Sequence, residues 1–409
     1  MPELLDLSNP DAFKDGFPHE HFRKLRREAP VLWHEGEHVE PGIPAEPGPG
    51  YWIVSRYEDV RYVSKHPDLF ASKPGILVQD PLEIETQLAP PSMIGMDPPA
   101  HARYRRLVSS GFTPRAIAGE EPHHHEIVRS ILDRIAGRGS CDFVVDVAAE
   151  LPLQVIAEFL GVPQEDRHKV FEWSNRMLGG EDPEYQLPFE QGIQVAIDMF
   201  LYANKLAEER RAAPREDLIS ALLHGEVDGE KLSLPEFDSF FLLLSVAGNE
   251  TTRNLISHGM LLLMEHPEAR EALIRDPSLI PSAVEEMLRV RPPVMYFRRT
   301  ATRDTELRGQ KIRAGDKVTL WYPSANRDED VFPDADRFDI RRSPNDHLAF
   351  GVGEHFCLGA NLARLEIRVM FEHLLRRLPD IELAGPVEYL RSHFIDGVKH
   401  MPVRFTPER

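Results

Sequence analysis

Residues Pro235 to Met264 are the longest apolar run in the chain, and they read as a helix. A helix apolar all round has no face to give to water, so other elements must pack about it on every side. That requirement predicts a helix buried nearly all round. In the middle of the run stands Ala247-Gly248-Asn249-Glu250-Thr251-Thr252. A glycine, a carboxylate and two hydroxyls are each unfavourable inside an apolar helix. One local reading is a kink, with the Thr251 hydroxyl bonding back to the carbonyl of Ala247 four residues earlier.

A second stretch, Phe350 to Gly359, reads F-G-V-G-E-H-F-C-L-G and leads into a helical segment from Ala360 to Leu378. It holds Cys357, one of 2 cysteines in 409 residues. Gly351, Gly353 and Gly359 allow close approaches that a side chain would block. A thiolate at a helix start is stabilised by the helix dipole and by free backbone N–H groups. Such a soft ligand suits a transition metal, and His355 is placed to hold an anionic group beside it. On the residues alone, a small buried hydrophobe is the commoner role for a lone cysteine. A nucleotide loop does not fit, because G-x-G-x-x-G needs glycine where Phe356 stands. A multi-cysteine zinc site is excluded by the count.

The rest of the chain adds helices, short strands and stiff loops. Residues 1–50 are proline-rich and irregular, apart from a short helix around His21 to Glu28. Tyr51 to Ser55 reads as a strand and Glu58 to His66 as a helix. Residues 71–95 carry four prolines and apolar residues such as Ile76, Val78, Met93 and Ile94, the composition of a binding loop or of one packed on the surface. In M-D-P-P-A-H-A-R-Y-R-R, Pro98 and Pro99 start a helix that puts His101 and Arg105 on one face. From Pro122 to about Leu223 the pattern is helical, broken at Gly180 to Pro188. His123 to His125 cannot share a helix face, which argues against a metal site there. Val294 to Phe297 reads as a strand, residues 304–321 as a hairpin and strand, and Arg391 to Phe405 as a terminal turn presenting Phe394 and Ile395. With 48 basic and 67 acidic residues the net charge is −19, which argues against a nucleic-acid partner. No apolar run reaches the roughly 18 residues that cross a membrane, and the N-terminus lacks the pattern of a signal peptide. Two cysteines rule out a disulfide framework, so a reducing cytoplasm is expected. No linker or repeat marks a boundary, so one domain over 1–409 is expected, with its core from residue 51.

F-G-x-G-x-H-x-C-x-G followed by A-N-L-A-R resembles the haem-binding loop and L-helix of the cytochrome P-450 family, the haem-thiolate monooxygenases. Four more stretches resemble the family in the same order: the C-helix (His101, Arg105), the I-helix acid–alcohol pair (Ala247 to Thr252), the K-helix E-x-x-R (Glu286, Arg289) and P-D-A-D-R-F with Arg337. The resemblance covers the chain from about Tyr51. It implies a mainly α fold with small β-sheets and haem b between the I- and L-helices. By resemblance Cys357 is the axial iron ligand, whose electron push favours O–O cleavage. His355, His101, Arg105 and Arg299 match the contacts to the haem propionates, and Phe350, Gly359 and Ala247 border the haem. Glu250 and Thr251 match the residues that deliver protons to dioxygen, and Gly248 the position that opens a groove for oxygen and water. Glu286, Arg289 and Arg337 match a buried charge network that supports the haem loop. Gly180 to Pro188 matches the F–G loop that gates access.

The implied activity is a monooxygenase that uses two electrons and two protons to split O2 and hydroxylate a C–H bond. The chain has no flavin or iron–sulfur motif, so electrons are expected from a ferredoxin with its NAD(P)H-dependent reductase. Arg103, Arg106, Arg364 and Arg368 are the candidate docking cations. The pocket candidates Ile76, Val78, Met93, Val246, Ala247, Val294, Met295 and Ile395 are apolar and imply a small hydrophobic substrate. W-S-N-R-M-L-G-G-E-D-P-E-Y, V-A-G-N-E-T-T-R-N and G-V-K-H-M-P resemble actinobacterial members that hydroxylate steroid side chains and methyl-branched lipids near a terminus. Two alternatives stand beside this: a hydrogen-peroxide-driven peroxygenase of fatty acids, against which the Glu250–Thr251 pair argues, and a non-catalytic haem-thiolate sensor.

Overall fold

The long apolar run is a single helix, and its start is fixed by local chemistry. Residues 5–88, 90–227 and 229–408 are described by a computed structural model. The helices that build the site are α1 (Ala100–Ser109), α2 (Glu121–Ile135), α3 (Glu150–Leu160), α4 (Arg167–Leu178), α5 (Phe189–Ala212), α6 (Leu234–Glu265), α7 (Ile280–Val290) and α8 (Ala360–Arg377). A capping box opens α6: the Ser233 amide donates to Glu236 Oε2 at 2.7 Å while the Ser233 side chain caps the N3 backbone. The helix ends at His266, directly before Pro267. Helices α3, α4, α5, α7 and α8 all pack against it, as a helix without a polar face demands.

A five-stranded sheet flanks the helices, in the order β1 (Val31–Glu35), β2 (Gly50–Val54), β5 (Lys317–Trp321), β4 (Tyr296–Ala301), β3 (Phe70–Ala71). Strand β1 lies in the segment expected to be irregular. It pairs antiparallel with β2 from Val31↔Val54 to Glu35↔Gly50, and that partner, rather than any pattern of its own, makes it a strand. Along β4, Arg298 reaches the 71–95 loop: its amide donates to Ile76 O at 2.8 Å and its guanidinium to Asp80 Oδ1 at 2.6 Å. The first half of that loop is therefore fastened to the sheet. Val78 and Met295 are buried there in a cluster with Phe13, Phe22, Tyr296 and Trp321.

Helix α7 holds the approach to Cys357. Glu286 and Arg289 are fully buried, joined by bonds of 2.7 and 2.8 Å. Arg289 also donates to the carbonyls of Asn326 (2.9 Å), Ala335 (2.7 Å) and Arg337 (3.0 Å). The side chain that completes the network is Arg342, whose Nε lies 3.2 Å from both Glu286 oxygens, with Asn345 Nδ2 also at 3.2 Å. This corrects the expectation for Arg337, which is exposed and contributes only its backbone carbonyl. The two arginines are five residues apart on an irregular segment, where sequence spacing does not say which side chain turns inward. We predict that Arg342→Ala costs about 1.5–3 kcal/mol of stability, the value of hydrogen bonds to a buried charge. Arg337→Ala should stay within about 0.5 kcal/mol. Chemical unfolding of the two variants side by side checks this; equal effects would return the role to Arg337.

Candidate active site

Backbone geometry shapes the loop round Cys357. The Cys357 amide donates to Phe350 O at 2.9 Å, closing the segment on itself, and Gly359 then caps α8. Gly353 has a φ of +82°, and a Cβ there would sit 2.8 Å from the carbonyl oxygen of Ser64, so only glycine fits. The Cys357 side chain lines a cavity between α6 and α8. Burial pushes its thiol up, while the Gly359 amide, Arg105 and Arg364 act in the opposite direction. A bound metal cation supplies the charge that makes such a thiol a thiolate. The other cysteine, Cys141, has its thiol pushed up to about 12 by burial and then by Asp146 and Asp142, and it does not line the cavity.

A basic cluster forms one edge of the cavity. The rings of His101 and His355 lie 4.1 Å apart, and His355 Nε2 is 3.0 Å from Ser72 Oγ. Arg299 is buried and donates to the carbonyl of Arg298 at 2.8 Å; Arg105 donates to the carbonyl of Glu354 at 3.4 Å. Burial holds the His355 imidazole down to about 3, helped by repulsion from Arg299, His101 and Arg105. Among the described residues, neither Arg105 nor Arg299 has a carboxylate hydrogen-bond partner. Two permanent cations held like this require anions from a ligand. A haem fits on both counts: its carboxylates answer the cations and its iron answers the thiol.

Facing Cys357, α6 presents Ala247, Gly248, Thr251, Thr252 and Leu255 to the cavity. The Thr251 hydroxyl donates to Ala247 O at 2.9 Å, the back-bond expected of it. Gly248 admits Ile156 of α3, whose Cδ1 would lie 2.7 Å from an added Cβ. Glu250 is one residue off the cavity face. Its buried carboxylate pairs with Arg253, and Arg253 donates to Asn175 of α4 at 2.6 Å. Burial pushes the Glu250 carboxyl up against the opposing pull of Arg253, and among the described residues Glu250 Oε1 has no hydrogen-bond partner.

Phe350, Gly359, Met93, Ala247 and Val294 line the cavity, whereas Ile76, Val78, Val246, Met295 and Ile395 do not. Ile76 and Val78 are turned away with the fastened half of their loop, and Val246 is on another flank of α6. Met295 and Ile395 border a small separate cavity by Phe13 and Phe17, although Ile395 bridges to the Val294 backbone. Residues missed from sequence include Leu244, Phe297, Thr252 and Glu366. Glu366 is a buried carboxyl in the cavity wall whose Oε2 has no hydrogen-bond partner among the described residues, and burial pushes its pKa far up. Its signal was available as a carboxylate on the apolar face of α8. The three histidines of α2 diverge to Glu158, the Glu120 carbonyl and His373, and among the described residues no cluster could hold a metal ion. Among the candidate docking arginines, Arg364 is paired with Glu285 (2.7 and 2.8 Å), and Arg368 with Glu121 (2.7 Å) and Glu372 (2.8 Å).

The break between α4 and α5 is fastened by charge to the C-terminal segment. Buried Asp182 accepts from the Arg391 amide at 2.8 Å and from Lys399 Nζ at 3.0 Å. Glu181 Oε1 lies 2.6 Å from His393 Nδ1, and Glu184 lies 3.1 Å from Lys399 and 3.2 Å from His400.

A helix-start thiol opposite a threonine-bearing buried helix, beside cations that need carboxylates, defines a haem-thiolate protein. A family model, Cytochrome P450, matches residues 188–379. A methyl-branched lipid omega-hydroxylase of Mycobacterium tuberculosis is 47% identical over 94% of this chain and 90% of its own length. A steroid C26-monooxygenase of Rhodococcus jostii is 42% identical over 99% of this chain and 85% of its own. A solved cytochrome P450 of Mycobacterium marinum, in complex with pseudoionone, superposes with a TM-score of 0.92 at 40% identity over 98% of this chain and 99% of that one. The chain belongs to the cytochrome P450 family: it is a monooxygenase with haem b as cofactor and O2 and a hydrophobic molecule as substrates. No helix among the described residues is long and apolar enough to cross a membrane.

Two predictions follow from the packing. Gly248→Ala should cost about 1–3 kcal/mol through overpacking, and Ile156→Val in the same chain should recover part of it; additive losses in thermal unfolding would show that the two residues do not compete for space. Lys399→Met should speed amide exchange across residues 179–188 while leaving the buried face of α2 unchanged, since it strands the buried Asp182 charge. An unaltered exchange pattern would show the ion pairs to be incidental.

Proposed function

We propose that this chain hydroxylates a methyl-branched lipid or steroid side chain at or near its terminus. The observation that carries it is the wall facing Cys357. Met93, Leu244, Ala247, Val294 and Phe297 are apolar, and the Thr251 hydroxyl donates its proton to its own helix. The cavity's cations cluster round His355 and serve the cofactor in this reading. A substrate with a polar group at the reacting end would leave that group unpaired, at a cost of about 1–3 kcal/mol in a protein interior. A branched hydrocarbon end meets no such cost. The two relatives named above act, by their names, on substrates of this kind.

In this reading Cys357 holds the haem iron, and His101, Arg105, Arg299 and His355 hold the propionates. Haem, when bound, supplies the iron at which O2 is reduced and one oxygen atom enters a C–H bond. Thr251 presents a hydroxyl to the cavity. Glu250 is the adjacent acid: burial pushes its carboxyl up while Arg253, itself bonded to Asn175, pulls the other way, and in this reading it supplies the proton that Thr251 relays. Glu286, Arg289 and Arg342 keep the approach to the loop rigid. Electrons come from a ferredoxin with its NAD(P)H-dependent reductase, and exposed Arg106 on α1 is a candidate contact.

A binding-spectrum screen of the haem-loaded protein against sterols, branched and straight-chain fatty acids and terpenoids tests the substrate class. Branched lipids or steroids should displace the spin equilibrium, with the product hydroxyl on a terminal or subterminal carbon. No spectral change with any of them would sink the proposal. Cys357→Ser should abolish the thiolate-type Soret band of the reduced carbon monoxide complex, and its retention would refute the ligand assignment.

A further inference from the structure

The loop that carries Cys357 is gripped by three side chains from outside it. Arg364, in the second turn of α8, makes a two-point bond to Glu285 of α7: Nε to Oε1 at 2.7 Å and Nη2 to Oε2 at 2.8 Å. Its guanidinium lies 4.6 Å from the centre of the Phe350 ring. Phe350 is the residue whose carbonyl accepts the Cys357 amide at 2.9 Å, so fixing Phe350 fixes the backbone at the thiol. The same carboxylate, through Oε2, lies 3.1 Å from His347 Nε2, and His347 Nδ1 accepts the Ala349 amide at 3.2 Å. Because Nδ1 accepts, Nε2 carries the proton and donates to Glu285. One carboxylate thus binds α8 and the entrance of the loop together, while the arginine it orients covers Phe350.

We infer that Arg364, oriented by Glu285 and His347, is a positioning residue for the Cys357 loop rather than a contact for the electron donor. Two of its donors are spent on Glu285 and one face of its plane on Phe350. An approaching acidic partner would meet the Glu285 carboxylate beside the guanidinium, a pair of no net charge. A lysine could supply the charge but neither the planar two-point bond nor the stacking face. The inference rests on the proposed reading of Cys357 as the iron ligand.

The test uses haem-loaded protein carrying Arg364→Leu, Arg364→Lys or Glu285→Gln. It reads amide exchange across residues 350–357, the Soret band of the reduced carbon monoxide complex, and reduction rate against ferredoxin concentration. If Arg364 positions the loop, all three variants exchange these amides faster, by about tenfold for Arg364→Leu, equivalent to one lost charge-assisted contact. They also lose thiolate-type band to the thiol form faster over time, at an unchanged half-saturating ferredoxin concentration. Arg364→Lys should resemble Arg364→Leu and not the parent. Should Arg364→Leu take up no haem, Arg364→Lys and Glu285→Gln carry the same measurements. Parent-like exchange and spectra in the lysine variant, with ferredoxin half-saturation raised several-fold in the leucine variant, would overturn the inference in favour of docking. A thiolate band surviving in Cys357→Ser would instead fail the ligand assignment itself, whatever Arg364 does.

Discussion

A buried guanidinium cannot go without a counter-charge, and Arg299 is the clearest case in this molecule. It sits with Arg105, His101 and His355, and among the described residues its guanidinium hydrogen-bonds only to the neighbouring carbonyl of Arg298. Desolvating a charge in this way costs several kcal/mol unless an anion answers it. The protein alone does not answer it, so cofactor and fold depend on one another. Binding a dianionic group there relieves repulsion among the cations and links β4, α1 and the Cys357 loop through one ligand. Because it binds the folded chain and not the unfolded one, that ligand stabilises the fold by mass action.

Helix α6 shows how one element serves both packing and chemistry. Its apolar surface packs against α3, α4, α5, α7 and α8, which fixes its position, while Ala247, Gly248 and Thr251 face the cavity. Glu250 could not stand on that face without exposing a carboxylate to an apolar substrate. Set one residue round, against Arg253 and Asn175, it is kept out of the substrate's way yet adjacent in sequence to the hydroxyl that is in it. The partner on α4 couples the acid to the helix that leads into the fastened break at Gly179.

The legible parts of the sequence were those whose chemistry is local. The Cys357 loop, the Glu286–Arg289 spacing and the extent of α6 are written within a few residues of one another. The Thr251 back-bond is a four-residue feature, and the structure shows it. What could not be read depended on which compartment a side chain enters. Val78 is apolar enough for any pocket, but Arg298 and Asp80 turn its loop into the aromatic cluster of the N-terminal segment. Arg337 and Arg342 look alike from sequence, and only the course of an irregular segment decides between them. Arg364 read as a surface cation until its partner, 79 positions away, came into view.

The charge latch and the apolar chamber make sense together. Here Glu181, Asp182 and Glu184 meet Arg391, His393, Lys399 and His400 across the mouth of the α4–α5 break, and buried Asp182 has both carboxylate oxygens engaged. The more exposed Glu184 pairs are individually weak, ~1 kcal/mol or less, whereas stranding buried Asp182 costs more. The α4–α5 break is thus anchored by charge, while the part of the chamber wall that faces Cys357 is apolar.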